Sequence, residues 1–193
     1  MRARGKRTMA KLLDAGMAVL AERGYHATRV DDIVRGARTS HGTFYLYFAD
    51  KEDLVRTLAE ECVDEINATV GDLGVVATGA EGREQLRVWL QRWSETYRRY
   101  GPVLRAWMED HVPDPGLAEI GAKAFADITA TLRARIAEAG PSHVDPELAA
   151  PALLAMIERT FYYVLSRGIP VDDEALIDSM ATMIHRGFFA GDS

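Results

Sequence analysis

The sequence predicts an all-α protein in which a small N-terminal domain of three helices precedes a larger helical bundle. Three observations support this prediction. Apolar residues recur at helical spacing along most of the chain. Nowhere do apolar and polar residues alternate for long enough to predict a sheet. The seven prolines in 193 residues fall mostly at apparent helix boundaries.

Length and composition narrow the class of protein. The chain is long enough for one sizeable core and a small second one. A content of 48% hydrophobic and 27% charged residues is typical of a globular protein. Cys62 is the single cysteine, which excludes a disulfide framework and a cysteine-cluster zinc site, and we expect it in the core. Because we find neither a membrane-spanning run nor a signal peptide, we expect a cytoplasmic protein.

The net charge of −6 conceals an uneven distribution. Residues 1–58 hold eleven basic and seven acidic residues, a net charge of +4, whereas the remainder carries −10. A polyanion would therefore be attracted to the amino-terminal part and repelled from the rest.

The first predicted helix covers residues 8–23. Leu12, Val19 and Leu20 belong to its apolar stripe, and Gly24 is a natural stop. A basic arm precedes it, and this arm is either a solvated terminus or a contact to phosphates or the minor groove. We favour the contact, because the arm adjoins the segment described next. Its basic residues are Arg2, Arg4, Lys6, Arg7 and Lys11.

Two short helices are predicted next, over residues 30–37 and 40–48. The second can be capped by Thr39 or Ser40, and it places Phe44 and Phe48 on one face. Such a helix could dock through its apolar face while its other face donates hydrogen bonds to phosphates and base edges. Two ordinary core helices with a polar outer face are the alternative. The other face carries Ser40, His41, Thr43, Tyr45 and Tyr47.

This segment resembles the helix-turn-helix signature of the TetR family of bacterial transcriptional regulators. More than ten positions agree at fixed offsets, and they cover the first quarter to third of the chain. The resemblance implies a dimeric DNA-binding regulator with a helical ligand domain. The matching residues are Gly24, Tyr25, Thr28, Ile33, Ala37, Ser40, Gly42, Thr43, Phe44, Tyr45, Tyr47, Phe48, Lys51, Glu52 and Leu54.

Three residues depart from the family pattern. Arg38 stands where the family commonly has glycine, so we expect a positive φ and a backbone cost of about 1 kcal/mol. Arg29 replaces a capping Thr or Ser, which leaves the start of the helix over residues 30–37 uncertain. Tyr47 occupies a place often held by histidine.

The resemblance and the polar face together give the expected DNA-binding residues. We expect His41 and Thr43 to read base edges. Gly42 costs a helix about 1 kcal/mol, and it could let the backbone approach a phosphate or a base closely. Tyr45, Tyr47, Lys51 and Thr28 are expected to contact phosphates. The full expected set is Thr28, Arg38, Thr39, Ser40, His41, Gly42, Thr43, Tyr45, Tyr47 and Lys51.

The next helix begins at Asp50, with Asp53 as a capping partner, and runs to about Val70. We place the domain boundary at its start, with a DNA-binding domain over residues 1–49 and an effector-binding and dimerisation domain over residues 50–193. By resemblance, this helix would transmit effector binding to the DNA-binding domain.

The remaining helices are predicted over residues 83–100, 103–108, 117–139, 148–167 and 173–189. A glycine-rich connector over residues 71–82 precedes them, and Gly101 and Pro102 are expected to separate the first two. The last two helices are apolar enough to pair with their symmetry mates as a four-helix bundle, which is how the family dimerises. The alternative is that they form the private core of a monomer.

The second domain holds the tryptophans and most of the large amphipathic side chains. Rings at helical spacing are usually core, yet so many of them could also line a pocket for a small lipophilic effector, as the resemblance implies. The expected lining residues are Trp89, Trp93, Tyr97, Trp107, Met108, Phe125, Met156 and Phe161.

The sequence gives little support for an enzyme. The five histidines show no pairing typical of a metal site, and phosphate-binding and nucleophile motifs are absent. We expect no catalytic residue, metal or cofactor. The predicted function is a homodimeric transcriptional regulator, most simply a repressor released from a palindromic operator by an effector. The alternatives are an effector-independent DNA-binding regulator and a helical small-molecule-binding protein without DNA binding.

Overall fold

The computed structural model describes residues 3–108, 112, 114–140, 144–166 and 169–190. Within these ranges the regular elements are helices and no strand is present, so the predicted all-α class is confirmed. Two π-helical turns, Tyr162–Ser166 and His185–Phe189, continue the last two helices. The α-helices are α1 Ala3–Ala27, α2 Val30–Gly36, α3 His41–Tyr45, α4 Lys51–Gly71, α5 Ala80–Met108, α6 Pro115–Ala139, α7 Pro146–Phe161 and α8 Asp173–Ile184.

Packing divides the chain into two compact units. The first unit is Met1–Val63 with Arg99–Gly121, and the second is Asp64–Arg98 with Ala122–Ser193. Helices α4, α5 and α6 contribute residues to both units. The domain boundary between residues 49 and 50 was drawn from the sequence pattern and stays a prediction.

Helix α1 begins earlier than the sequence indicated. It is helical from Ala3, so the described part of the basic arm is the first turns of this helix, while Arg2 lies outside the described residues. Gly24 interrupts the helix at the expected stop, with a φ of 72° that glycine adopts without strain. Tyr25 follows directly and is buried.

The core of the first unit is formed by residues from the first four helices together with parts of α5 and α6. Leu12, Ile33, Phe44 and Leu54, one from each of the first four helices, are fully buried. Val103, Ala106 and Leu117 of α5 and α6 belong to the same cluster. This shared core fixes α2 and α3 although both are too short to be stable alone.

The prediction that Gly101 and Pro102 end a helix is wrong. Helix α5 is continuous through Pro102, although proline lacks the N–H that would bond the carbonyl of Arg98 and costs a helix interior about 3 kcal/mol. Tyr100 and Val103 on either side are buried, so packing compensates for the lost hydrogen bond.

Aspartate side chains cap the starts of α4, α7 and α8, and the first of these caps was predicted from the sequence. The N–H of Asp53 donates to Asp50 Oδ1 at 2.8 Å at the start of α4. Asp145 accepts from the N–H of Glu147 at the start of α7, where Pro146 occupies the first position. Helix α8 is capped by Asp172, which accepts from the N–H of Ala175.

Candidate functional site

Helix α3 is short but has a defined start. Ser40 is its N-cap, and its Oγ accepts from the N–H of Thr43 at 3.2 Å. Helix α2 has no such side-chain cap, because Arg29 occupies the capping position. The hydroxyl of Thr28 donates instead to the carbonyl of Gly24 at 2.7 Å, back toward α1.

The turn between α2 and α3 contains the expected backbone strain. Arg38 has a φ of 52° and is the one non-glycine residue with positive φ in the described part of the chain. The N–H of Thr39 donates to the carbonyl of Val34 at 2.9 Å and closes the turn. The side chain of Arg38 is exposed.

The apolar side of this segment is docked on the core of the first unit, where Phe44 of α3 and Phe48, three residues beyond its end, are buried with their ring centroids 5.5 Å apart. On the other face Tyr45 is 58% exposed. The asymmetry between the two faces of α3 is therefore present in the structure.

The remaining residues of the polar face differ in their exposure. Ser40, His41 and Gly42 are exposed, whereas Thr43 is half-buried. Tyr47 is half-buried and packs against the core of the first unit. A Cβ added at Gly42 would meet only the Oγ of Ser40, at 3.8 Å, so packing within the protein does not require glycine there.

His41 contacts a residue that the sequence did not single out. Its Nε2 lies 2.5 Å from Oδ1 of Asp31, which belongs to the first turn of α2. The contact joins α2 to α3, and both side chains remain exposed. Ten residues separate the two in the chain, so no helical spacing indicates the pair.

Two expected phosphate-contact residues already interact within the protein. Thr28 is 3% exposed, so its hydroxyl could meet a phosphate only by leaving Gly24. Lys51 Nζ donates to the carbonyls of Tyr25 and Thr28 at 3.0 and 3.4 Å. The same ammonium lies 4.2 Å from the centroid of the Tyr25 ring.

Tyr25 connects the end of α1 to the start of α4. Its hydroxyl donates to Glu52 Oε1 at 2.6 Å. Burial, followed by this hydrogen bond to the Glu52 carboxylate, raises the pKa of the Tyr25 hydroxyl above its ordinary value, so Tyr25 stays a donor. Together with Lys51, this contact fixes the turn before α2.

Asp32 of α2 forms ion pairs with two arginines, one on α1 and one on α2 itself. It accepts from Arg23 Nη1 of α1 and from Arg35 Nη1, both at 2.9 Å. The pair with Arg23 ties α2 to α1.

Four of the expected effector-lining residues lie in the interior of the second unit. Trp89, Trp93, Tyr97 and Phe161 are all buried. The ring centroids of Trp89 and Trp93 are 5.7 Å apart, and those of Tyr97 and Phe161 are 6.3 Å apart. The structure therefore brings these aromatic residues together in pairs.

Phe125 does not lie in the interior of the second unit, contrary to the expectation that it lines the effector pocket. It is 53% exposed and borders a surface depression of about 450 Å³ that also includes Arg133 and Glu147. The buried positions on this part of α6 are Ala124 and Ile128, so α6 directs alanine and not Phe125 to the interior.

The other expected lining residues do not join this interior. Trp107 belongs to the first unit, where it packs beside Gly121. Met156 is half-buried on α7. The side chain of Met108 lies outside the described residues.

The indole N–H groups of the two tryptophans in the second unit differ in their hydrogen bonding, and α7 contains a partly buried carboxyl group. Trp89 Nε1 donates to the carbonyl of Thr69 at 2.7 Å, whereas Trp93 Nε1 is buried without a hydrogen-bond partner among the described residues. On α7, burial raises the pKa of the Glu158 carboxyl, and the charge of Arg159 opposes this shift.

A groove of about 550 Å³ lies beside the connector between α4 and α5, and Trp89 is one of its lining residues.

Among the described residues, no group of three or more His, Cys, Asp or Glu side chains could hold a metal ion.

The amino-terminal part of the chain is similar to known bacterial regulators. The sequence model of the family described as "Bacterial regulatory proteins, tetR family" matches residues 12–58, which include α2 and α3. The fatty acid metabolism regulator protein of Bacillus subtilis is 43% identical over 51 residues, 26% of this chain and 26% of that protein. The match thus spans about a quarter of that relative's length.

Two further comparisons cover most of the chain. The HTH-type transcriptional regulator EthR of Mycobacterium tuberculosis is 27% identical over 172 residues, 86% of this chain and 79% of that protein. The crystal structure of the transcriptional regulator FadR from Bacillus subtilis, in complex with stearoyl-CoA, has a TM-score of 0.71 at 21% identity. The superposition covers 95% of this chain and 99% of the FadR chain. At 21% sequence identity, this likeness shows that the two proteins share a fold.

Proposed function

We infer that this member of the TetR family of bacterial DNA-binding transcriptional regulators is a homodimeric repressor released from a palindromic operator by a small lipophilic effector. It acts in the cytoplasm. In the DNA-bound dimer, α3 of each protomer lies in the major groove of one half-site.

The observation that supports DNA reading is the asymmetry of α3. Phe44 anchors the helix in the core, while His41 and Tyr45 are presented to solvent. The net charge of +4 over residues 1–58 would attract DNA to this part of the chain. His41 and Thr43 read base edges, and Tyr45, Tyr47 and Lys51 contact phosphates.

Exposed side chains on α7 and α8 support dimerisation. Leu148, Ala152, Ala155 and Tyr163 are exposed at helical spacing along α7 and its π-helical turn, and Met183 is exposed on α8. Two such faces can pair with those of a second protomer.

The same apolar character explains a second property of α7. Among the described residues, one helical stretch, Pro146–Leu165, is apolar and long enough to cross a membrane by these two criteria. In a dimer, its exposed apolar side chains would be covered by the partner protomer.

The interior of the second unit supports an apolar effector. Its buried aromatic residues would contact an apolar chain, and Trp93 Nε1 offers a donor to a polar group of the effector. Because FadR is solved with stearoyl-CoA, a long-chain acyl-CoA is the first effector to test. Effector binding would then change the position of α4 and lower the affinity for DNA.

A regulator without an effector is the second candidate. It is favoured by the burial of Trp93, Tyr97 and Phe161, which are packed as ordinary core residues are.

One binding experiment tests the proposal. We expect stearoyl-CoA to release the protein from its selected operator, while CoA alone, which lacks the apolar chain, leaves the complex intact. If no lipophilic compound releases the operator, the effector-independent candidate replaces the first.

A substitution on α3 tests the DNA-facing side of that helix. Tyr45→Ala is expected to abolish operator binding with little change in thermal stability. Tyr45→Phe, which keeps the ring and removes the hydroxyl, shows which of the two is needed. If Tyr45→Ala unfolds the protein, the assignment of the DNA-facing side of α3 is wrong.

A further inference from the structure

We propose that Asp31 is a positioning residue for DNA reading: it holds the His41 ring so that Nδ1 acts as a hydrogen-bond acceptor, and His41 therefore selects a base that carries an amino group at the major-groove edge. The inference rests on the proposed function, in which α3 enters that groove.

The geometry of the pair is defined by both short helices. His41 is the first residue of α3, whose start is fixed by the Ser40 cap. Asp31 lies in the first turn of α2. Their side chains meet at 2.5 Å, and 55% of His41 and 66% of Asp31 remain accessible. The ring is thus oriented by this contact while more than half of its side chain stays accessible.

The chemistry of the contact assigns the proton. An ionised carboxylate has lone pairs and no proton, so it can only accept a hydrogen bond. Nε2 of His41, which faces Asp31, must therefore carry the hydrogen. In the neutral imidazole the second nitrogen, Nδ1, then has no hydrogen and is an acceptor.

This assignment determines which base atoms His41 can bind. The donors at the major-groove edge are the N6 amino group of adenine and the N4 amino group of cytosine. The N7 atoms of purines, the O6 of guanine and the O4 of thymine are acceptors, and these would suit a ring that donates. With Asp31 in place and the imidazole neutral, His41 binds an amino group.

Asp31 is also expected to lower the affinity of the protein for DNA of any sequence. Its carboxylate lies beside the surface that meets the polyanion and therefore weakens binding to any DNA sequence. Asp31→Asn should consequently bind unrelated DNA more tightly than the wild type while discriminating less between operator bases. A purely structural role would not move affinity and discrimination in opposite directions.

The test uses the selected operator and base analogues. The base pair read by His41 is the one whose identity His41→Ala no longer distinguishes. At that pair, purine in place of adenine, or 2-pyrimidinone in place of cytosine, removes the amino group, whereas a 7-deazapurine removes N7. For the wild type we expect loss of the amino group to weaken binding about tenfold and loss of N7 to change it by less than about twofold. His41→Ala should respond to neither change.

The variants then assign the effect to Asp31. In Asp31→Asn the tenfold penalty should fall to about twofold, because the amide no longer dictates which ring nitrogen is protonated. Asp14→Asn, which removes an exposed carboxylate from α1 of the same unit, is the matched control and should keep the full penalty. Thermal unfolding curves check that all variants are folded.

Three results would overturn the inference alone: a penalty on losing N7 and not the amino group, an unchanged penalty in Asp31→Asn, or no base pair at which His41→Ala alters the preference. A protein that selects no DNA sequence at all would overturn the proposed function, and this inference with it.

Discussion

Arg38 places a side chain where the backbone favours glycine. Its φ of 52° costs about 1 kcal/mol relative to glycine, so Arg38→Gly is expected to raise the free energy of unfolding by about that amount. The melting temperature should rise by about 2 to 4 °C, measured by circular dichroism.

Arg38→Ala is the matched control for that measurement, because it removes the same charge and keeps the Cβ. It should show no gain in stability. Both variants should reduce the salt dependence of DNA binding alike if Arg38 contacts a phosphate. Equal stability of the two variants would show that the turn is not strained.

At the scale of single residues, local features could be predicted and tertiary contacts could not. The Ser40 cap and the pairing of Phe44 with Phe48 follow from residues a few positions apart. The positive φ of Arg38 was expected from the glycine that the TetR family commonly has at this position. The contact between Asp31 and His41 depends on how α2 packs on α3. Chain spacing carries no signal for it.

The start of α6 is held to α4 by an ion pair. Arg56 donates from Nε and Nη2 to Asp114 Oδ2, at 2.9 and 2.8 Å, and the N–H of Gly116 donates to Asp114 Oδ1 at 2.7 Å. The Asp114 side chain is only 7% exposed. The hydrogen bond from Arg56 holds the pKa of Asp114 below its ordinary value, the Gly116 N–H acts in the same direction, and desolvation opposes both.

A carboxyl group whose pKa is lower in the folded state stabilises the protein above its unfolded pKa, and the contribution is lost as the pH falls through the folded value. For Asp114 the contribution is therefore present at pH 7 and lost below about pH 4. Asp114→Asn should lower the melting temperature at pH 7 by about 2 °C. The difference from the wild type should shrink as the pH falls below about 4. A constant difference across this range would contradict the assigned ion pair.

At the scale of elements, periodicity predicted the existence of most helices but not every boundary or face. Pro102 was expected to break a helix, yet burial of its neighbours keeps α5 continuous. Phe125 was expected to line the effector pocket, yet it is exposed and the neighbouring Ala124 is buried instead. In both cases tertiary packing, which a single sequence does not reveal, outweighed local preference.

For the whole molecule, dimerisation is the feature most readily disrupted by one charge. Ala155 lies on the exposed face of α7, so Ala155→Glu would place a carboxylate in the proposed interface. We expect the dimer dissociation constant to rise roughly hundredfold, measured by sedimentation velocity. Ala122→Glu on the exposed side of α6 is the control and should remain dimeric. A dimeric Ala155→Glu protein would show that α7 is not the interface.

Specific DNA binding by a dimer is tested most directly by selecting genomic fragments with the purified, effector-free protein at about 0.15 M salt, where non-specific binding is weak. Sequencing of the retained fragments should show an inverted repeat whose half-site centres lie about 34 to 36 Å apart, one turn of DNA. The genes beside it would suggest effectors to test. A folded dimer that enriches no sequence would contradict the proposed regulator.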